Sequence, residues 1–185
     1  MSIRLLRRNL GLVLVLSCLG AVAIYGVMVQ VTLAQLQSLS GLVPLDMRPM
    51  GYRGDAVRAL FEALGAPGRA YYLTRQIPLD LVYPALMGLS LVTANMWFGV
   101  RLGQGRFLRF ASVVAGLAAL ADYLENLGIV VMIQCWPEVP SAVIRLSSSA
   151  TIAKSGLTTV AVLCTLYVIL RWAISALRRG VCRQA

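Results

Sequence analysis

Four long apolar runs, at about residues 10–31, 77–100, 110–134 and 151–172, constrain this chain more than any other feature. Each holds roughly 20 residues, enough for a helix rising about 1.5 Å per residue to cross a hydrocarbon core of about 30 Å. Lipid offers backbone amides no water to bond, so runs of this kind cross as helices. Composition agrees: only 13% of the residues are charged, against about 25% in a soluble domain. The chain reads as an all-α membrane protein, one domain over 1–185, with four transmembrane helices in a bundle.

The first run admits a second reading, because Ala21-Val-Ala23 looks like a processing site and Leu16-Ser17-Cys18 faintly like a lipoprotein signal. A signal's apolar region is about 7–15 residues long. This one continues through Ile24, Val27, Met28 and Val29, so an uncleaved anchor is expected.

Net charge is +10, from sixteen arginines and one lysine against seven acids. The bases sit between the apolar runs, the distribution that orients membrane proteins, and nucleic acid is not an expected partner. Arg4, Arg7, Arg8, Arg101, Arg106, Arg109, Arg171, Arg178, Arg179 and Arg183 fall on one side, with no acid among them. Six arginines on the other side are diluted by Asp46, Asp55, Glu62 and Glu138. The first side, with both termini, is expected to be cytoplasmic. Compact loops and a basic lead-in fit a bacterial inner membrane. Trp97, Trp136 and Trp172 lie near expected helix ends, as interfacial aromatics do.

The expected outer loop, 32–76, is broken by Gly41, Pro44, Pro49, Gly51 and Gly54. Within it, Asp55 to Leu64 reads as an amphipathic helix with Val57, Leu60, Phe61 and Leu64 on one face and Arg58 and Glu62 opposite. Gly65 and Pro67-Gly68 are expected to stop it. Its apolar face should lie on the membrane surface or cap the bundle.

Histidine is absent, which removes His-based zinc sites, haem ligation by His and any Ser-His or Cys-His pair. Cys18, Cys135, Cys164 and Cys182 have no C-x-x-C spacing and read as small hydrophobes.

The chemistry concentrates in the third run. Asp122, Glu125 and Asn126 share one helical face with Ala111, Ala115 and Ala118, whose small side chains let another helix approach. An ionisable residue at mid-bilayer costs at least ~2.5–3.5 kcal/mol, so this face should point into the bundle. Lys154, on the fourth run, is the expected partner. Glu125 lies about 24 Å from the Arg109 end and Lys154 about 25 Å from the Arg171 end of an antiparallel neighbour. Thr151 and Thr158 flank Lys154. On the second run Asp80 nears the outer boundary, with Tyr83 and Met87 on the same side, and Pro84 frees a backbone carbonyl there. Asp80 would otherwise cap the second helix.

Asp122, Glu125 and Lys154 are thus the candidates for catalysis, and Asp80, Tyr83, Asn126 and Lys154 for binding a substrate. Two carboxylates and Asn126 would suit a hard cation such as magnesium. Lys154 competes for the same charge, so no metal and no cofactor is assigned.

Leu79-Asp-Leu-Val-Tyr-Pro84 followed by Ala121-Asp-Tyr-Leu-Glu-Asn126 resembles a signature of small, uncharacterised bacterial four-span membrane proteins. The resemblance covers most of the chain, from the outer loop to the fourth helix, and implies the four-span fold without an activity. Three functional classes follow. The first, and the leading reading, is an accessory or assembly protein, which needs only exposed helix faces and the ion pair as a register device, and whose partners are the bilayer, other membrane proteins or further copies of the chain. The second is a small membrane enzyme acting on a lipid or isoprenoid, with Asp122 and Glu125 as acid and base and Lys154 holding an anionic headgroup. The third is a carrier of protons or small solutes. An accessible pocket beside these residues would favour the second over the first.

Overall fold

The computed structural model describes residues 3–99, 102 and 105–181, with side chains over 9–99, 102 and 105–178. Arg101, Arg183 and Cys182 lie outside the described residues, as do the side chains of Arg4, Arg7, Arg8 and Arg179. The described residues are helical almost throughout and include no strand.

Helix α1, Ile3–Val27, passes through a π-helical turn, Met28–Thr32, into α2, Leu33–Ser40. A short 3-10 turn, Leu45–Met47, follows, and then α3, Gly54–Tyr71. A second π turn, Tyr72–Gln76, joins α3 to α4, Ile77–Gly99. Helix α5 is Gly105–Gln134 and α6 is Ser141–Val181. Four of these rods are long and apolar enough to cross a membrane: Asn9–Ser40, Gly54–Gly99, Gly105–Gln134 and Ser141–Arg178.

Helix ends depart from the apolar boundaries. Hydropathy marks where polar residues begin, but a helix stops only where its backbone is capped or broken. The first rod runs past residue 31 to Ser40 because Leu33 and Leu36 still have a core to enter. It ends at Gly41, whose left-handed φ of 67° lets its N–H bond the Gln37 carbonyl at 2.8 Å. Most of the expected 32–76 loop is therefore helix. Gly65, at φ 60° and ψ −175°, leaves the helical region and ends the first piece of α3 as expected, but a second helical piece follows it at once. Pro67 then stands two residues on, where a helix restarting its first turn needs no N–H. The π turn carries the rod unbroken into α4, so Ile77 is not a free helix start and Asp80 is not a helix cap. Helix α6 starts ten residues before Thr151, since Ser147 and Thr151 are a buried polar face of the helix and not its end.

Helix α4 is central, packing on α1, α5 and α6, and α5 and α6 share the broadest interface. In lipid no hydrophobic drive joins apolar helices, so close approach depends on small residues. A Cβ at Gly11 would press on Trp97 and one at Gly20 on Leu86. The main core lies at the end of the bundle that carries residues 41–53, here termed the loop end. There α3 buries Val57, Leu60, Phe61 and Leu64 against Leu36, Ile129, Met132 and Ile144. The amphipathic helix caps the bundle. Trp136 closes the cap, edge-on to Phe61 at 5.9 Å and under the Arg69 guanidinium at 5.1 Å. At the opposite, terminal end, Phe98 and Trp97 of α4 meet Trp172 of α6, with centroids 5.1 and 5.9 Å away.

Candidate functional site

The alanine face of α5 is buried as its spacing requires, and it carries Asp122, Glu125 and Asn126 inward. Facing it, α6 presents Ser147, Thr151, Lys154, Ser155 and Thr158, spaced by three and four residues so that they form one stripe. Gly128 brings the helices together where a Cβ would overlap Ser147. At that contact the Ser147 hydroxyl donates to the Glu125 carbonyl at 3.2 Å and is bonded at 2.6 Å to the Tyr52 hydroxyl. Thr151 donates to Glu125 Oε1 at 2.6 Å. Lys154 Nζ lies 2.5 Å from Glu125 Oε2 and 2.9 Å from Asp122 Oδ1. One ammonium is thus held by two carboxylates, where the depth argument expected Glu125 alone.

Pro84 shapes the α4 side. It has no N–H, so the carbonyl of Asp80, one turn back, has no helical donor. Asn126 supplies one instead, its Nδ2 donating to that carbonyl at 2.9 Å. The Asp80 side chain is 2% exposed, and its Oδ2 makes no hydrogen bond.

The loop adds a residue that sequence reasoning missed. Asp46, in the 3-10 turn, accepts from the Tyr72 hydroxyl at 2.5 Å and from Gln76 Nε2 at 3.0 Å, and Thr32 donates to Gln76 Oε1 at 2.5 Å. Tyr72 and Gln76 bound one π turn and Thr32 ends the other. The two distorted turns thereby grip one carboxylate, and π turns recur at functional sites. Burial pushes the Asp46 carboxyl above the usual range, opposed chiefly by Lys154.

These groups surround a half-open cavity of about 440 Å³. Asp46, Asp80, Asp122 and Lys154 form its polar wall. Met28, Leu33, Met87 and Leu91 line its apolar part, over a floor of Gly88, Ala115, Ala118 and Ala119. Tyr25 and Tyr83 stand together in the wall, their ring centroids 5.5 Å apart.

Of the candidate residues, Asp80, Tyr83, Asp122 and Lys154 reach the cavity together. Glu125, with no exposure, and Asn126 do not; they stand behind the wall and hold it. Ser147 was legible as the start of the α6 stripe once the helix is extended below Thr151. Asp46 carried no signal, since a carboxylate between Pro44 and Pro49 looks like any solvated loop residue. Among the described residues, no group of three or more His, Cys, Asp or Glu is arranged to hold a metal ion. No family model, curated protein or solved structure matches the chain.

Proposed function

We propose that this chain is a multi-pass membrane protein that binds the polar end of an amphiphile in the loop-end cavity, using the Asp122–Lys154–Glu125 cluster as a joint between α5 and α6. One observation carries the reading: about 440 Å³ of space bounded by all four rods, polar on one wall and apolar on another. Ligand pockets typically run to about 300–1,000 Å³ with a few polar groups placed among apolar ones. The accessory-protein reading predicts charges closed upon each other, and Glu125 fits it. Asp80 and Asp46 do not, because they line the cavity without an ion pair to Lys154. The enzyme reading assigned acid and base roles to Asp122 and Glu125, yet both are occupied by Lys154, and the ammonium they surround is a poor clamp for an anion. A carrier needs a continuing path, and towards the terminal end Leu91, Val114, Ala115 and Ala161 fill the space between α4, α5 and α6.

The cavity is tested by filling it. Gly88→Leu places a side chain over the floor beside Ala119, where a Cβ makes only ordinary contact. Native mass spectrometry should find an amphiphile retained by the wild type and lost from Gly88→Leu, at little cost in melting temperature. Equal retention by both would refute the reading.

We also place the termini on the cytoplasmic side of a bacterial inner membrane. Arg106, Arg109, Arg171 and Arg178 support this at the terminal end, where no acid accompanies them. Reporter fusions at the C-terminus and in the 41–53 segment should report opposite sides, with the C-terminal one inside.

A further inference from the structure

We infer that the polar end received by this cavity is a cation, an organic ammonium group carried on an apolar tail. The inference rests on the binding reading above and adds the sign of the ligand's charge.

Four carboxylates gather around one lysine: Asp46, Asp80 and Asp122 line the cavity with Lys154, and Glu125 stands behind them against the same ammonium. Lys154 answers two of them directly. Asp46 has its oxygens met by the neutral donors Tyr72 and Gln76, which bring no counter-charge. Asp80 lacks even that, because its Oδ2 is buried in the cavity wall with no donor. A buried carboxylate oxygen without a donor loses the solvation it had in water and gains nothing in return. An ammonium entering the cavity supplies both the hydrogen bond and the charge. An anionic end would meet uncompensated carboxylates, and a neutral one would leave the excess standing.

The remaining wall suits the same ligand. Aromatic rings attract cations, and Tyr25 and Tyr83 line the same cavity as the acids. Met28, Leu33, Met87 and Leu91 provide the contact that a bare metal ion would not use. The ligand class is therefore a primary amine with a hydrocarbon part. A phosphatidylethanolamine headgroup and a free alkylamine share that chemistry.

The test compares dodecylammonium, dodecanol and dodecyl phosphate as ligands of the full chain in nanodiscs. We expect dodecylammonium to bind at least about tenfold more tightly than the other two, the weight of one charge-assisted hydrogen bond. Asp80→Asn should reduce that preference to near parity. Asp46→Asn, outside the long helices, should diminish it and serves if Asp80→Asn does not fold. If phosphatidylethanolamine is the natural source, dodecylammonium will compete less well in nanodiscs of that lipid than in phosphatidylglycerol; equal competition assigns a free amine. Equal binding of the three probes, or a preference for the phosphate, would overturn the cation and leave the cavity reading intact. If no probe binds and Gly88→Leu changes nothing, both fall.

Discussion

Lys154 is the one lysine of the chain, and removing it strands two carboxylates rather than one. Breaking a buried pair by deleting one partner costs about 3–5 kcal/mol. Lys154→Met should therefore lower the unfolding free energy in detergent by about that much. Adding Glu125→Gln restores only part, because Asp122 remains uncompensated; adding Asp122→Asn as well restores most of it. A triple variant no more stable than Lys154→Met would show that packing, not charge, explains the loss. A second residue-scale prediction concerns Tyr52, outside the spans. Burial pushes its phenol up to about 12 from 10.0. The folded protein thus holds this proton at pH values where the unfolded chain releases it. Stability that is present below pH 10 is lost as pH rises towards 12, by roughly 2–3 kcal/mol. Thermal unfolding of wild type and Tyr52→Phe across that window should show the extra alkaline loss in the wild type alone.

Helix α5 meets its neighbours through two devices, and each can be broken separately. At Gly128 a methyl group would overlap Ser147, so Gly128→Ala should part α5 from α6 and cost about 1–3 kcal/mol of stability. On the α4 side, Asn126 donates to a carbonyl that Pro84 leaves without a helical partner. Asn126→Leu should cost about 1–3 kcal/mol in the wild type. In a Pro84→Ala background a restored backbone N–H takes the carbonyl, and the same change should cost less. Additive losses in the double-mutant cycle would refute this coupling. These devices also mark how far the sequence could be read. The alanine stripe, the inward carboxylates and the lysine at equal depth were legible because helical periodicity and the cost of charge in lipid both act on them. Helix lengths were not, since polar residues such as Ser147 and Gln76 continue a helix when the protein supplies their partners. Asp46 was illegible for a different reason: its place depends on two π turns meeting across the fold, which no local pattern encodes.

The whole bundle is asymmetric, and the asymmetry gives the cavity its mouth. Helices α1 and α6 both pack on α4, but among the described residues they share no broad interface with each other. Their outer faces, with Leu12, Leu16 and Leu19 on α1 and Leu163, Leu166 and Leu170 on α6, are exposed apolar surface suited to acyl chains. Between them, Tyr25 of α1, Val29 of the π turn that follows it, and Ser155 and Thr159 of α6 border the cavity, and Tyr25 and Thr159 remain exposed. An amphiphile diffusing in the bilayer would therefore enter sideways through this cleft, head towards Asp80 and tail left among lipids. A gate and a seat respond differently to substitution. Narrowing the cleft with Thr159→Trp raises the barrier for entering and leaving alike, so association and dissociation should both slow several-fold while Kd changes little. Gly88→Leu, which occupies the seat, should raise Kd instead. Stopped-flow binding of a fluorescent alkylamine separates the two. A Thr159→Trp protein with unaltered rates would place the mouth elsewhere on the bundle.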